Sequence, residues 1–79
     1  MARSLPPDPS LGKALRQLRE ARELSQEGVS HAAEITLGAY GRIERSEVAP
    51  AWATVRAIAS GLGISMEELG AAVDRQGQG

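Results

Sequence analysis

The side chains in this chain that could do chemistry divide into isolated nucleophiles and clustered cations. His31 is the only histidine and there is no cysteine, which removes thiolate metal sites, cysteine nucleophiles and disulfides together. Ser10, Ser25, Ser46 and Ser65 fall near helix boundaries, where capping accounts for them, and no Ser and His arrangement suggests an activated hydroxyl. No carboxylate cluster has ligand spacing and no glycine-rich phosphate loop follows a strand. The expectation is therefore no enzyme, no metal and no cofactor. The cations are arranged differently. Lys13, Arg16, Arg19 and Arg22 crowd one short stretch, Arg42, Arg45 and Arg56 follow, and the acids Glu67, Glu68 and Asp74 gather near the C-terminus. With nine Lys and Arg against ten Asp and Glu, the net charge of -1 is not that of a non-specific polyanion coat. Any role with a polyanion must rest on where these charges lie.

The elements that would position them are helical. Pro6, Pro7 and Pro9 make residues 1–9 a stiff leader without backbone donors. Ser10 reads as an N-cap, and Leu11, Leu15, Leu18 and Arg22 recur at steps of three and four, which predicts a helix over about 11–22. Ser25 caps a second, short helix carrying Val29, Ala32 and Ala33 on one side. Glu34 and Ile35 fit a tight turn. Thr36 caps a third helix over 36–45, in which Leu37, Tyr40 and Ile43 step by three along one face. Pro50 suits the first turn of a fourth helix with the stripe Trp52, Val55, Ile58, Ala59 and Leu62, ended by Gly61 and Gly63. Ser65 and Glu68 form a capping box ahead of a fifth helix bearing Leu69 and Val73, and residues 75–79 read as a disordered polar tail. No strand-like alternation, internal repeat or low-complexity block interrupts this. The fold class expected is all-α, a compact five-helix bundle over residues 10–74.

At 79 residues and 42% hydrophobic, the chain can bury one modest core but no large ligand cavity. No segment has the apolar length of a signal peptide or a membrane span, and the absence of cysteine suits a cytoplasmic location.

The runs Leu24-Ser25-Gln26, Ile43-Glu44-Arg45 with Pro50 following, and Leu62-Gly63-Ile64-Ser65 are individually unspecific. In this order and spacing, over residues 11–73, the chain resembles the Cro/C1-type (XRE-family) helix-turn-helix DNA-binding domain, a lambda-repressor-like fold. The resemblance implies that the second helix crosses a phosphate backbone and that the third lies in the major groove of double-stranded DNA. Gln26 matches the family's phosphate clamp, a place where free amides and the positive helix end favour an anion. Arg19 and Glu44 match a structural ion pair that ties the first helix to the end of the recognition helix. Thr36, Leu37, Gly38, Ala39, Gly41 and Arg42 occupy positions that face DNA in similar domains, with Arg45 a further phosphate contact, whereas Tyr40 and Ile43 match core positions.

The recognition segment departs from the family's polar pattern. Of its exposed residues only Arg42, with Thr36 beside it, carries the hydrogen-bonding groups that read a base edge. Three readings stay open at this point. Arg42 reads a guanine while Leu37 and Ala39 touch thymine methyls and the glycines allow close approach; or affinity is mostly phosphate contact from Gln26, Arg42, Arg45 and the basic first helix; or the small-residue face accepts a protein partner. Glu34 and Ser46 stand where the family often has glycine, which leaves the interhelical angle and the end of the third helix open.

Met66, Leu69 and Val73 are many apolar residues for a terminal helix, and Trp52 is either an interface anchor or a core residue. The expectation is a homodimer through Trp52, Met66, Leu69 and Val73, with Val48 contributing, which would set two recognition helices about one DNA turn apart. The function expected is a prokaryotic, sequence-specific transcriptional regulator that represses by occluding its operator, since no effector domain fits this length. The alternative is a protein-interaction module of the same fold, antitoxin-like or an anti-regulator partner, with weak or no DNA binding.

Overall fold

The computed structural model describes residues 8–78, and among them five helices and no strand. They are α1 (Pro9–Ala21), α2 (Gln26–Ala32), α3 (Leu37–Glu44), α4 (Trp52–Leu62) and α5 (Met66–Gln78). The all-α, five-helix expectation holds.

Each start has a chemical reason. α1 begins before Ser10, which is not its N-cap: the Asp8 side chain accepts the Ser10 amide at 2.9 Å and Pro9 takes the first turn. Asp is at least as good a cap as Ser and its charge complements the helix end, while proline has no amide to leave unsatisfied there. Ser25 accepts from Gly28 N at 2.9 Å and Thr36 from Ala39 N at 3.0 Å, as expected of both caps. Ser65 and Glu68 form the reciprocal capping box, at 3.0 and 3.1 Å. Pro50 lies outside α4, because Ala51 is still extended (φ −64, ψ 155) and serves as the N-cap.

The first four helices close with one motif, the Schellman pair of hydrogen bonds, in which a left-handed residue lets two late carbonyls be satisfied. Leu24 N reaches Arg19 O, Ile35 N reaches Ser30 O, Glu47 N reaches Arg42 O and Ile64 N reaches Ala59 O, all at 2.9 to 3.1 Å. Gly63 supplies the left-handed position for α4, at φ 75. Glu23, Glu34 and Ser46 adopt it without being glycine, at φ 56, 59 and 61. The turn between α2 and α3 is therefore kept at the cost of backbone strain in Glu34, not reshaped around it. Gly61 does not end α4; it lies within the helix, where an added Cβ would meet the Cβ of Ala32 on α2 at 3.2 Å.

α1 packs on α5 and α3, α2 on α3 and α4, and α4 on α5. The apolar faces meet at Leu15, Val29, Tyr40 and Ile58, all fully buried, with Ala33, Ile43, Ala59, Leu62, Ile64 and Leu69 around them. Ala32 falls outside this core and is exposed. Trp52 also leaves the stripe: at the first position of α4 it is 66% exposed, while Val55 to Leu62 turn inward. α5 continues to Gln78, through most of the segment expected to be a tail, and Gln76 Nε2 donates to Gln17 Oε1 of α1 at 2.6 Å. The leader residues 1–7, and Gly79, lie outside the described residues.

Candidate nucleic-acid interface

α3 has two faces set by its period. Tyr40 and Ile43 are buried, and this anchors an 8-residue helix containing two glycines that would be marginal alone. Gly38, Gly41, Arg42 and Arg45 recur at three- and four-residue steps on the other side. Thr36, Leu37, Gly38 and Arg42 are exposed and Ala39 is half-buried. Leu37 does not continue the buried row of Tyr40 and Ile43, being 48% exposed. Gly41 is buried despite its outward position.

The hinge of the site is Glu44, whose side chain is 3% exposed. Arg19 grips it with a fork, Nε donating to Oε2 at 2.7 Å and Nη2 to Oε1 at 3.2 Å, while Nη1 donates to the carbonyl of Leu24 at 3.0 Å. The planar guanidinium fits this arrangement as an ammonium would not. The expected Arg19–Glu44 pair is thus present and binds α1, the α1–α2 turn and the end of α3 together. Gln26 joins it from α2, its Nε2 donating to Glu44 Oε1 at 2.9 Å. That amide nitrogen carries two hydrogens, so one donor remains for an anion.

The charge states follow from these contacts. Burial alone would raise the Glu44 carboxyl, but the hydrogen bonds from Arg19, joined by Gln26, more than offset it and hold the group below the ordinary carboxylate range. The same bond to Glu44 raises Arg19. Tyr40 lies beside the pair with its hydroxyl buried and without a hydrogen-bond partner. Burial, reinforced by the Glu44 carboxylate, holds its phenol well above the ordinary range.

An open cleft of about 310 Å³ lies over this network, lined by Arg16, Arg19, Gln26, Glu44 and Arg45. Arg19 and Glu44 neutralise one another. Arg16 pairs with Glu20 at 3.1 Å and Arg45 with Glu47 at 2.6 Å, both among exposed side chains. Exposed pairs of this kind contribute at most about 1 kcal/mol, so a phosphate can replace either carboxylate readily. The sequence names Gln26 and Arg45 together as phosphate contacts, and both line this one cleft. Glu47, the acid that holds Arg45, was missed, because a pair two residues apart across a helix end has no helical spacing to reveal it.

The dimer residues are placed unequally. Trp52 is exposed, Met66 and Val73 are half-buried, and Leu69 is buried in the chain's own core. With Leu11 and Val55 they line an apolar groove of about 410 Å³ between α1, α4 and α5. His31 is exposed, and among the described residues no His, Asp or Glu cluster could hold a metal ion. No helix among them is long and apolar enough to cross a membrane.

A capped, core-anchored α3 standing next to the N-terminus of α2, with an Arg–Glu lock between α1 and α3, defines a helix-turn-helix domain. Residues 10–72 match the model of the helix-turn-helix domain family, and the chain belongs to that family. Its structure is similar to that of the restriction-modification controller protein C.AhdI from Aeromonas hydrophila, with 30% identity and a TM-score of 0.74 over 77% of this chain and 92% of that one. Two structures of the clp gene regulator ClgR from Corynebacterium glutamicum share the fold at 19% identity. One has a TM-score of 0.80 over 91% of this chain and 92% of that chain; the other has 0.81 over 92% and 77%. No curated protein matches the sequence. The Cro/C1-type resemblance drawn from the sequence agrees with these likenesses.

Proposed function

We propose that the chain is a sequence-specific DNA-binding transcriptional regulator of the cytoplasm that acts as a homodimer and represses by covering its operator. The observation that carries this reading is that Gln26 of α2 and Arg45, which follows α3, line one cleft with Arg16, while Thr36, Leu37, Gly38 and Arg42 are exposed. Base-edge and phosphate-binding groups are thereby offered to one duplex. Arg42 is the base reader, through two hydrogen bonds to a guanine, while Leu37 and Ala39 contact thymine methyls. Gln26 and Arg45, with Arg16, hold phosphates and set the register. The apolar groove beside Trp52 supports pairing of two copies, which would double the phosphate contacts and space two α3 helices about one turn apart. The family membership and the likeness to C.AhdI, described as a controller protein, support regulation.

Selection from a random duplex library at low and at physiological salt tests the proposal. The expected result is an enriched inverted repeat with half-sites one turn apart, including a guanine lost from the consensus in Arg42→Ala. Equal recovery of all duplexes would overturn sequence-specific binding.

A second reading is favoured by one observation, the small and apolar surface of Leu37, Gly38 and Ala39. On it the chain is a protein-interaction module, and duplex binding is undetectable even at low salt while a stable complex is recovered from cells.

A further inference from the structure

Gly38 and Gly41 look interchangeable in the sequence, two glycines on the same face of α3, one turn apart. Around Gly38 nothing lies within 4 Å of where a Cβ would stand. At Gly41 that position is 3.0 Å from Nη1 of Arg45, 3.8 Å from its Cζ and 3.8 Å from Oε1 of Gln26. The Arg45 guanidinium therefore lies over bare helix backbone, and its Nε donates to Glu47 Oε2 at 2.6 Å. Arg45 is exposed, so no burial of its own keeps it there.

We propose that Gly41 is a positioning residue: the missing side chain seats the Arg45 guanidinium against α3 beside Gln26, so that both present N–H donors to a single backbone phosphate. The proposal rests on the DNA-binding reading above and adds a role for a glycine that reads no base. The donor count is consistent. Glu47 takes the Arg45 Nε–H and leaves the two Nη groups, and Glu44 takes one Gln26 amide hydrogen and leaves the other. Glu44 is itself neutralised by Arg19, so the cleft does not repel an anion from that side.

The nearest atoms outside its own helix backbone that a methyl group at position 41 would meet are the flexible end of an arginine and one amide oxygen. Gly41→Ala is therefore compatible with folding, and helix propensity favours it. Stability and phosphate binding are expected to move in opposite directions.

The experiment measures binding of the full chain to its selected duplex and to an unrelated duplex across a salt series, for wild type, Gly41→Ala, Arg45→Ala and the double variant. Each single variant should lose about three- to tenfold affinity on both duplexes and lower the slope of log K against log salt by about one. The double variant should bind no worse than Arg45→Ala, and Gly41→Ala should melt at or above wild type. Wild-type affinity in Gly41→Ala overturns the proposal. So does a second, equal loss in the Arg45→Ala background, which would put the added methyl against the DNA itself. If the wild type binds no duplex, the DNA reading fails on its own. The seat is then judged in the free protein from the ¹⁵N signal of Arg45 Nε–H, which should report an ordered side chain in wild type and a mobile one in Gly41→Ala. An unchanged signal overturns it.

Discussion

Gln26 donates to the same Glu44 oxygen, Oε1, that receives Nη2 of Arg19, so the candidate phosphate clamp and the lock between α1 and α3 share one acceptor. Stability and DNA contact are coupled at that atom. Arg19→Ala leaves a carboxylate whose side chain is 3% exposed without its main partner, and is expected to cost about 3 to 5 kcal/mol. Replacing both members by apolar residues, as in Arg19→Met with Glu44→Leu, should cost much less. Chemical denaturation of the two variants checks this, and equal losses would show that the buried charge is not the cause.

The pH dependence follows from the same cluster. Glu44 is held below its ordinary value of 4.5, so its contribution is complete above that value and is lost as pH falls from there through the lower folded value. Glu44→Gln should flatten this acid limb. Tyr40 is held above its ordinary value of 10.0, so its contribution is present below pH 10 and lost as pH rises beyond it. Since Tyr40 is the only tyrosine, absorbance near 295 nm should show tyrosinate appearing together with alkaline unfolding and not before it.

Arg42 and Arg45 should separate base reading from phosphate binding. Arg42→Ala is expected to remove about 1 to 3 kcal/mol of preference for one base pair. Arg45→Ala should weaken all duplexes alike. Competition between the selected site and single-base variants distinguishes them, and unchanged base preference in Arg42→Ala would remove it as the reader.

Left-handed Glu34 and Ser46 make a stability prediction with no functional component. Glu34→Gly relieves a Cβ clash while adding unfolded-state entropy, for a net gain of about 0.5 to 1 kcal/mol, and Ser46→Gly should act similarly. Gly12→Ala is the opposite case. Its Cβ would collide with the carbonyl oxygens of Ile43 and Glu44 where α1 meets the end of α3, and backbone cannot step aside cheaply. A loss of about 3 kcal/mol or more is expected by thermal or urea melting, as for other overpacked sites.

Trp52 and Met66 test the proposed pairing of chains. Met66→Glu puts a charge into the apolar groove and Trp52→Ala removes its largest exposed wall. Both should shift the chain to monomer in sedimentation and weaken binding to an inverted repeat more than to a single half-site. Unaltered sedimentation in both variants would exclude the groove as the dimer face.

The sequence by itself determined the elements. Capping residues such as Ser25, Thr36 and the Ser65–Glu68 box act on their own helix through bonds only three residues long, and apolar steps such as Tyr40 to Ile43 select one face. Local chemistry of that range is readable in one dimension. The Arg19–Glu44 pair, 25 residues apart, was legible only through resemblance to a family. Tertiary structure decided the rest. Asp8 in place of Ser10, and Ala51 after Pro50, are choices between nearby residues that the apolar pattern alone does not separate. Leu37, Trp52 and Leu69 share the apolar character of their stripes, yet Leu37 and Trp52 face outward and Leu69 inward, because burial depends on which helix lies opposite. The two glycines of α3 differ most: Gly38 is open and Gly41 lies beneath Arg45. A missing side chain leaves no mark in the sequence of what fills its space; only the packed neighbours supply that.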